Sequence, residues 1–440
     1  MGMRSVGLLL WVGVLAGPGM GCGGPAFEVG GDSGTASTLG PGSGSGARGD
    51  ASTPLDSSTD APSEGGLPGS ADAANDGAAP CAPLAAGTTD VYVDQRFTGT
   101  PAYGTAACPL PTIAQGTAAA AGLMGAVTVH VAGASPRLVY AETAPVTVAS
   151  TVVLLGDGSA STAIHASGTC GTGTCAVMVS AAGVLDGFTV LDTGGDGILA
   201  LAGTLPPTIR NTSANGNKGW GITAQGAVEL GPNFSANSND SGGLESPVNG
   251  GGRLHVFGTG DTFDDNTGNG INVDGPAFLV FEGGSASGNG QGIRLAGTPG
   301  PSGSPHVITG LTANGNTGPG GVVAYFGQTI TMRSSRLLGN TSIGLVYDYV
   351  NGSTLDIGSS ESGGNVFGGA TVSMRNGTAG IRLCGAPATV TASGDSWGSC
   401  PPTETLLACG TALTTTYSDI VYAPAGAATV IAATSCSTGP

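Results

Sequence analysis

SANGNKGWGI (213–222), SANSNDSGGL (235–244), DDNTGNGI (264–271), SGNGQGI (287–293), TANGNTGPGGV (312–322) and LGNTSIGL (338–345) are six versions of one phrase. Each holds an asparagine, a few small or turn-forming residues, a glycine and an aliphatic residue. The asparagines are Asn217, Asn239, Asn266, Asn289, Asn316 and Asn340. The pairs that follow are Gly221-Ile222, Gly243-Leu244, Gly270-Ile271, Gly292-Ile293, Gly321-Val322 and Gly344-Leu345, with glycines 22, 27, 22, 29 and 23 residues apart. Such a period, with short apolar segments between turn residues, marks a solenoid of stacked units. Gly197-Ile198 adds a unit on one side; Gly380-Ile381, preceded by Asn376, adds one on the other after an insertion.

The segments between turns are short and β-branched: Val127-Thr128-Val129, Thr151 to Leu155, Ala277 to Phe281 and Thr329 to Met332. Glycine, at 83 of 440 residues, suits a tight corner on every coil. It does not recur every third residue, which excludes collagen. The expectation is an all-β parallel solenoid. Within it the asparagines form a hydrogen-bonded turn column, and Ile222 through Leu345 form an inward aliphatic column. A net charge of −17 with one lysine, Lys218, excludes nucleic acid as a partner.

The first residues read as an export signal, with Arg4 before the apolar core Val6 to Ala16. Gly21-Cys22 suggests cleavage before Cys22 and lipidation of its thiol, with ordinary secretion as the alternative. Residues 22–80 are rich in Gly, Ser, Thr, Ala, Pro and Asp and are expected to be a disordered tether. The expected partner of that end is a membrane, through the lipid. The expected location is the outer membrane or cell surface, or else the periplasm or medium.

From Asp90 the character changes. A YVD strand, GTAACPLPTI leading into a small-residue helix from about Ile113 to Ala121 capped by Thr112, AVTVHVAG, Tyr140-x-Glu142 and VVLLGDG follow in order. This series resembles the domain of unknown function 1565 (DUF1565), found at the start of right-handed parallel β-helices in exported bacterial proteins. The resemblance covers about Val91 to Gly158 and implies a right-handed parallel β-helix with a short N-terminal capping helix; it implies no activity. The expected order is a signal peptide (1–21), a linker (22–80), a cap with the first coils (81–165), β-helix repeats (166–383) and a disulfide-linked C-terminal cap (384–440).

Removing Cys22 leaves Cys81, Cys108, Cys170, Cys175, Cys384, Cys400, Cys409 and Cys436, an even number for disulfides in an oxidising compartment. Closeness along the chain favours Cys81–Cys108, Cys170–Cys175, Cys384–Cys400 and Cys409–Cys436.

No catalytic motif stands out. The chain has no Gly-His-Gly and no Arg-Ile-Lys segment, so a polygalacturonase-like signature is missing. Asp261, Asp264 and Asp265 form the most acidic knot and are the weak candidates for a metal, Ca²⁺, although they match no standard loop. Otherwise no cofactor is expected. Asp186, Asp192 and Asp196 could line a groove. Arg294, Arg333, Arg336 and Arg382 are the candidate bases of a lyase, with Arg294 and Arg382 in equivalent GIRL positions. His130, His165, His255 and His306 are isolated on strands. The leading expectation is a structural or binding module, its partner a polysaccharide or a surface protein. The rival is a polysaccharide lyase or glycoside hydrolase with a groove along the β-helix. An enzyme should gather three acids and an arginine on neighbouring coils, whereas a passive solenoid should scatter them. Function is expected where the period breaks, in the coils Gly243 to Gly270 and Gly292 to Gly321 and before Gly380.

Overall fold

The computed structural model describes residues 81–171, 173–191, 194–297, 304–348, 353–358, 363–385, 390–407, 417–422, 430–431 and 437–438. The signal, Cys22, the tether, Asp192, Cys409 and Cys436 lie outside the described residues.

The chain winds into a right-handed parallel β-helix. Each coil contributes one strand to an 11-stranded sheet, here sheet A, and one to a 13-stranded sheet, here sheet B. A third face is held by single parallel bridges, Thr189 to Ser213 to Ser235 to Thr262 to Ser285, then Thr312 to Arg336 to Val366 to Ser396. Register is strict. In sheet B, Ile198, Ile222, Leu244, Ile271, Ile293, Val322, Leu345, Ile381 and Ile420 pair in one row and are all buried. That row is the inward aliphatic column, and its Ile381–Ile420 step continues the coil into the C-terminal segment. Phe234 and Phe263, 5.8 Å apart, and Phe367 and Trp397, 5.2 Å apart, fill the interior beside the third face.

The asparagines form a ladder in the corner before sheet B. Backbone N–H groups of Asn217, Asn239, Asn266, Asn289, Asn316 and Asn340 each donate to the Oδ1 of the asparagine one coil on, ending at Asn376, at 2.8–3.0 Å. All seven side chains are buried. The ladder explains the glycine of the repeat. A Cβ on Gly221, Gly270, Gly292, Gly321 or Gly344 would lie 2.8–3.0 Å from the Nδ2 of the next coil's asparagine. Asparagine on one coil thus demands glycine on the coil before it.

Two residues earlier runs a second polar column, with bonds in the opposite sense. Asn237 donates its N–H to Asn215 Oδ1, Asp264 to Asn237 Oδ1, Ser287 to Asp264 Oδ1, Asn314 to Ser287 Oγ and Leu338 to Asn314 Oδ1.

Helix α1 (Ile113–Ala121) covers the first coils. Thr112 Oγ1 accepts from the Gln115 N–H, and Glu142 of the Tyr-x-Glu motif accepts from the Ile113 N–H at 2.7 Å, satisfying two open donors of the first turn. Gly116 lets the helix settle on Val93 and Val129. Among the described residues no helix is long and apolar enough to cross a membrane.

Disulfides join Cys81 to Cys108 and Cys170 to Cys175, the second closing a hairpin of Gly168–Cys170 and Gly173–Val179. Cys384 and Cys400 are also disulfide-bonded. Such bonds belong to an extracellular or periplasmic setting.

Candidate functional site on the outer face of sheet B

In nine sheet B strands the residue after the inward aliphatic points away from the core. Paired coil by coil, these residues are Leu199, Thr223, Glu245, Asn272, Arg294, Val323, Val346, Arg382 and Val421. Leu199 packs with Cys170 and Cys175, and Val323, Val346 and Val421 pack in an apolar cluster of their own, which leaves the stretch from Thr223 to Arg294 as the polar part of this face. Beside this row, at the strand starts and ends, stand Asp196, Trp220, Asp274 and Tyr325. Here the identical units of the repeat stop being identical.

Asp196 accepts from the Trp220 N–H at 2.8 Å and from Thr223 Oγ1 at 2.7 Å, which aims it along the face. The Trp220 ring lies over Gly242 of the next coil, where a Cβ would run into the indole. Glycine there keeps a flat aromatic surface at this end of the face. Further along, Arg294 Nη1 donates to Asn272 Oδ1 at 2.7 Å and to Asp274 Oδ1 at 2.8 Å, while Asn272 Nδ2 donates to Asp274 Oδ2 at 3.0 Å. The Arg294 guanidinium also lies 5.9 Å from the Tyr325 ring centroid. Asp274 and its neighbours are therefore fixed.

Between these two groups sits Glu245, on strand Gly242–Ser246, half-buried and without a hydrogen-bond partner among the described residues. Burial, with Asp196 and Asp274 nearby, pushes its carboxyl up to about 7. A carboxyl with that affinity is partly protonated at neutral pH and can deliver the proton. Three acids and an arginine thus share one face on neighbouring coils.

The acidic knot does not assemble. Asp261 is fully buried, its Oδ1 accepting from the Phe234 N–H at 2.8 Å. Asp264 accepts from Ser285 Oγ at 2.6 Å and from the Ser287 N–H at 2.7 Å within the second polar column. Asp265 is the left-handed residue of its turn, at φ 57°. Carboxylates placed at successive corner positions point apart, so their closeness in sequence makes no ligand shell. Among the described residues no group of three or more His, Cys, Asp or Glu side chains can hold a metal ion.

The other sequence candidates separate as well. Asp186 is on sheet A, paired with Arg210 at 2.7 Å and Asn211 at 2.9 Å, whereas Asp196 is on sheet B. They share a coil and face different ways. Arg333 is buried against Asp356 at 2.7 Å, and Arg336 belongs to the third face. His130 meets Asp90 at 2.8 Å, and His306 is buried, its Nε2 3.1 Å from Gln328 Oε1. His255 pairs with Glu229 at 2.5 Å on sheet A, where Arg253 holds the same carboxylate. In the C-terminal coils Asp419 accepts from the Gly398 and Thr403 N–H groups and from the hydroxyls of Ser399, Thr403 and Tyr417, a saturated structural clamp.

Glu245 and Arg294 lie in the two long coils, Gly243 to Gly270 and Gly292 to Gly321, but at their regular start rather than in the added residues. Thr223, Glu245, Asn272 and Arg294 occupy the most regular positions of the repeat, one residue after the aliphatic. Glu245 follows the Gly243-Leu244 pair directly.

No family model matches the chain, and no curated protein does. Among solved structures, the mannuronan C-5 epimerase AlgE4 A-module of Azotobacter vinelandii is 15% identical, covering 79% of this chain and all of that one, with a TM-score of 0.45. The catalytic unit of the GH87 α-1,3-glucanase of Streptomyces thermodiastaticus is 15% identical over 82% of this chain and 71% of that one, TM-score 0.40. Pectate lyase Pel9A is 13% identical over 80% of each chain, TM-score 0.32. These likenesses extend to the fold and no further.

Proposed function

We propose that the outer face of sheet B is a groove for a polysaccharide, and that Glu245 protonates a glycosidic oxygen there to hydrolyse the chain. One observation carries this reading: Asp196, Glu245 and Asp274 gather with Arg294 on neighbouring coils, and Glu245 alone of the four is uncommitted and partly protonated near neutral pH. Five coils spaced about 4.8 Å apart make a linear strip suited to an extended ligand. Trp220 at one end and Tyr325 at the other offer ring surfaces.

In this reading the C–O bond to the leaving sugar breaks as the Glu245 proton passes to the glycosidic oxygen. A water forms the new C–O bond and gives its proton to Asp274, which Arg294 and Asn272 hold in place. Glu245 is then a general acid and should work below its pKa, so turnover falls as pH rises past about 7. A lyase fits less well, because the one arginine at the centre is engaged by Asp274. The protein is further proposed to be exported and tethered to the outer membrane through a lipid on Cys22, with a DUF1565-like cap at the start of its β-helix.

The test is release of reducing ends from a panel of neutral and uronate polysaccharides by the full chain and by Glu245→Gln. Turnover by the native chain, reduced at least ~100-fold in the variant, is the expected result. Binding without turnover in the native chain would leave a non-catalytic binding module. Unsaturated products would make it a lyase. Neither binding nor turnover would end the reading.

A further inference from the structure

Leu205, Val248 and Phe326 are large apolar side chains left 62%, 69% and 64% exposed. Each lies in the segment that follows a sheet B strand, after Asp196–Ala200, Gly242–Ser246 and Gly320–Ala324 respectively. They therefore rim one long edge of the polar face.

Phe326 is the unusual member. Its backbone is left-handed, φ 59°, a conformation that costs a bulky side chain free energy and is kept only where the surroundings enforce it. The chain beyond it is clamped. The Gly327 N–H donates to the Asp348 carbonyl at 3.1 Å. The Gln328 side chain bonds to the Gly297 carbonyl and to His306, and the Gln328 carbonyl accepts from Tyr347 Oη at 2.7 Å. That clamp holds a strained aromatic residue whose ring is mostly in solvent, a poor bargain for folding alone. The ring lies 6.1 Å from that of Tyr325, tilted by 48°, and Tyr325 adjoins Arg294 at the end of the polar strip.

We infer that Phe326, with Tyr325, is a subsite that stacks against the apolar C–H face of a sugar ring, on the coil after Arg294. The inference rests on the reading of the sheet B face as a polysaccharide groove. It makes Phe326 a specificity residue, reading the shape of one sugar ring rather than its charge, so its contribution to binding does not change with salt.

The experiment uses the full chain with Phe326→Asn and Phe326→Tyr. Asparagine accepts the left-handed backbone, so the first variant should melt at or above the native temperature. Affinity electrophoresis in gels holding a glucan, a xylan or polygalacturonate should show the native chain retarded by at least one of them. Phe326→Asn should bind that polymer about 5- to 10-fold more weakly, at 50 mM and at 500 mM salt alike, and Phe326→Tyr should bind as the native chain does. Native affinity and turnover in Phe326→Asn would overturn the subsite and leave the groove standing. A binding loss that tracks a lowered melting temperature, with no recovery in Phe326→Tyr, would make Phe326 a structural residue and also overturn it. If the native chain is retarded by none of the polymers, the groove itself is refuted and the subsite with it.

Discussion

The asparagine corner and the outer face of sheet B lie within six residues of each other on the same coil, Asn217 and Thr223 for instance, and follow opposite rules. In the corner one residue type recurs on seven successive coils, is buried, and bonds to its own kind and to backbone. On the face the equivalent position holds threonine, glutamate, asparagine, arginine and valine in turn. Repetition marks what every coil needs in order to stack on the next. Variation marks what the stack presents to something else.

The sharpest way to break the corner is Asn289→Leu. It strands the Asn266 N–H and the Phe263 carbonyl in the interior and removes one of the two bonds of the Asn266 amide, whose Nδ2 keeps the Ala236 carbonyl. A loss of about 3–5 kcal/mol is expected, read as a fall in denaturation midpoint, while the folded fraction still binds the polysaccharide. Unaltered melting would count against the ladder. Gly292→Ala should follow at about 1–3 kcal/mol, because its Cβ meets backbone carbonyls and the Asn316 amide. A neutral outcome there would show the corner to be more compliant than its register suggests.

Asp395 is a buried carboxylate in the other corner, before the third face. Its Oδ1 accepts from Asn365, and its Oδ2 has no hydrogen-bond partner. Burial raises its carboxyl from 3.8 to about 7. The folded state therefore keeps this proton to a higher pH than the unfolded state does. The resulting stability is full below about 4 and is lost as pH rises through about 7, at up to about 1.4 kcal/mol per pH unit. Asp395→Asn should remove that slope and be the more stable form at pH 8; parallel stability–pH curves for the two proteins would refute the assignment. The smallest expected effect on stability is that of Glu245→Gln, within about 0.5 kcal/mol of native, although the same change is expected to stop turnover. A variant that lost both together would erase the distinction between corner and face.

Much of the fold is legible in the residues because the ladder repeats one side chain at a fixed distance from a glycine, and the stacking physics permits little else there. Thr112 and the small residues after it likewise mark the capping helix. The face is harder to read. Its positions share only a register, one residue past the aliphatic, and no residue type. Arg294 and Arg382 stand out because the GIRL segment repeats, but Glu245 has no such echo. The Asp261–Asp265 knot misleads for the converse reason: neighbours in sequence at a corner point to different places, while residues 22 to 29 apart lie side by side. Asp186 and Asp196, ten residues apart, illustrate the same effect by landing on different sheets.

The two polar columns of the corner have one more consequence. Along Asn217 to Asn376 the N–H bonds point toward the C-terminal coils, and along Asn215 to Leu338 they point back. Stacked alone, either column would sum its bond dipoles like a helix and leave partial charge at the ends of the solenoid. Side by side, the backbone bonds of the two columns oppose one another over the coils they share, while the Nδ2–H bonds of the asparagine column still point forward. The stack can therefore lengthen coil by coil with a smaller axial field than either column alone would build.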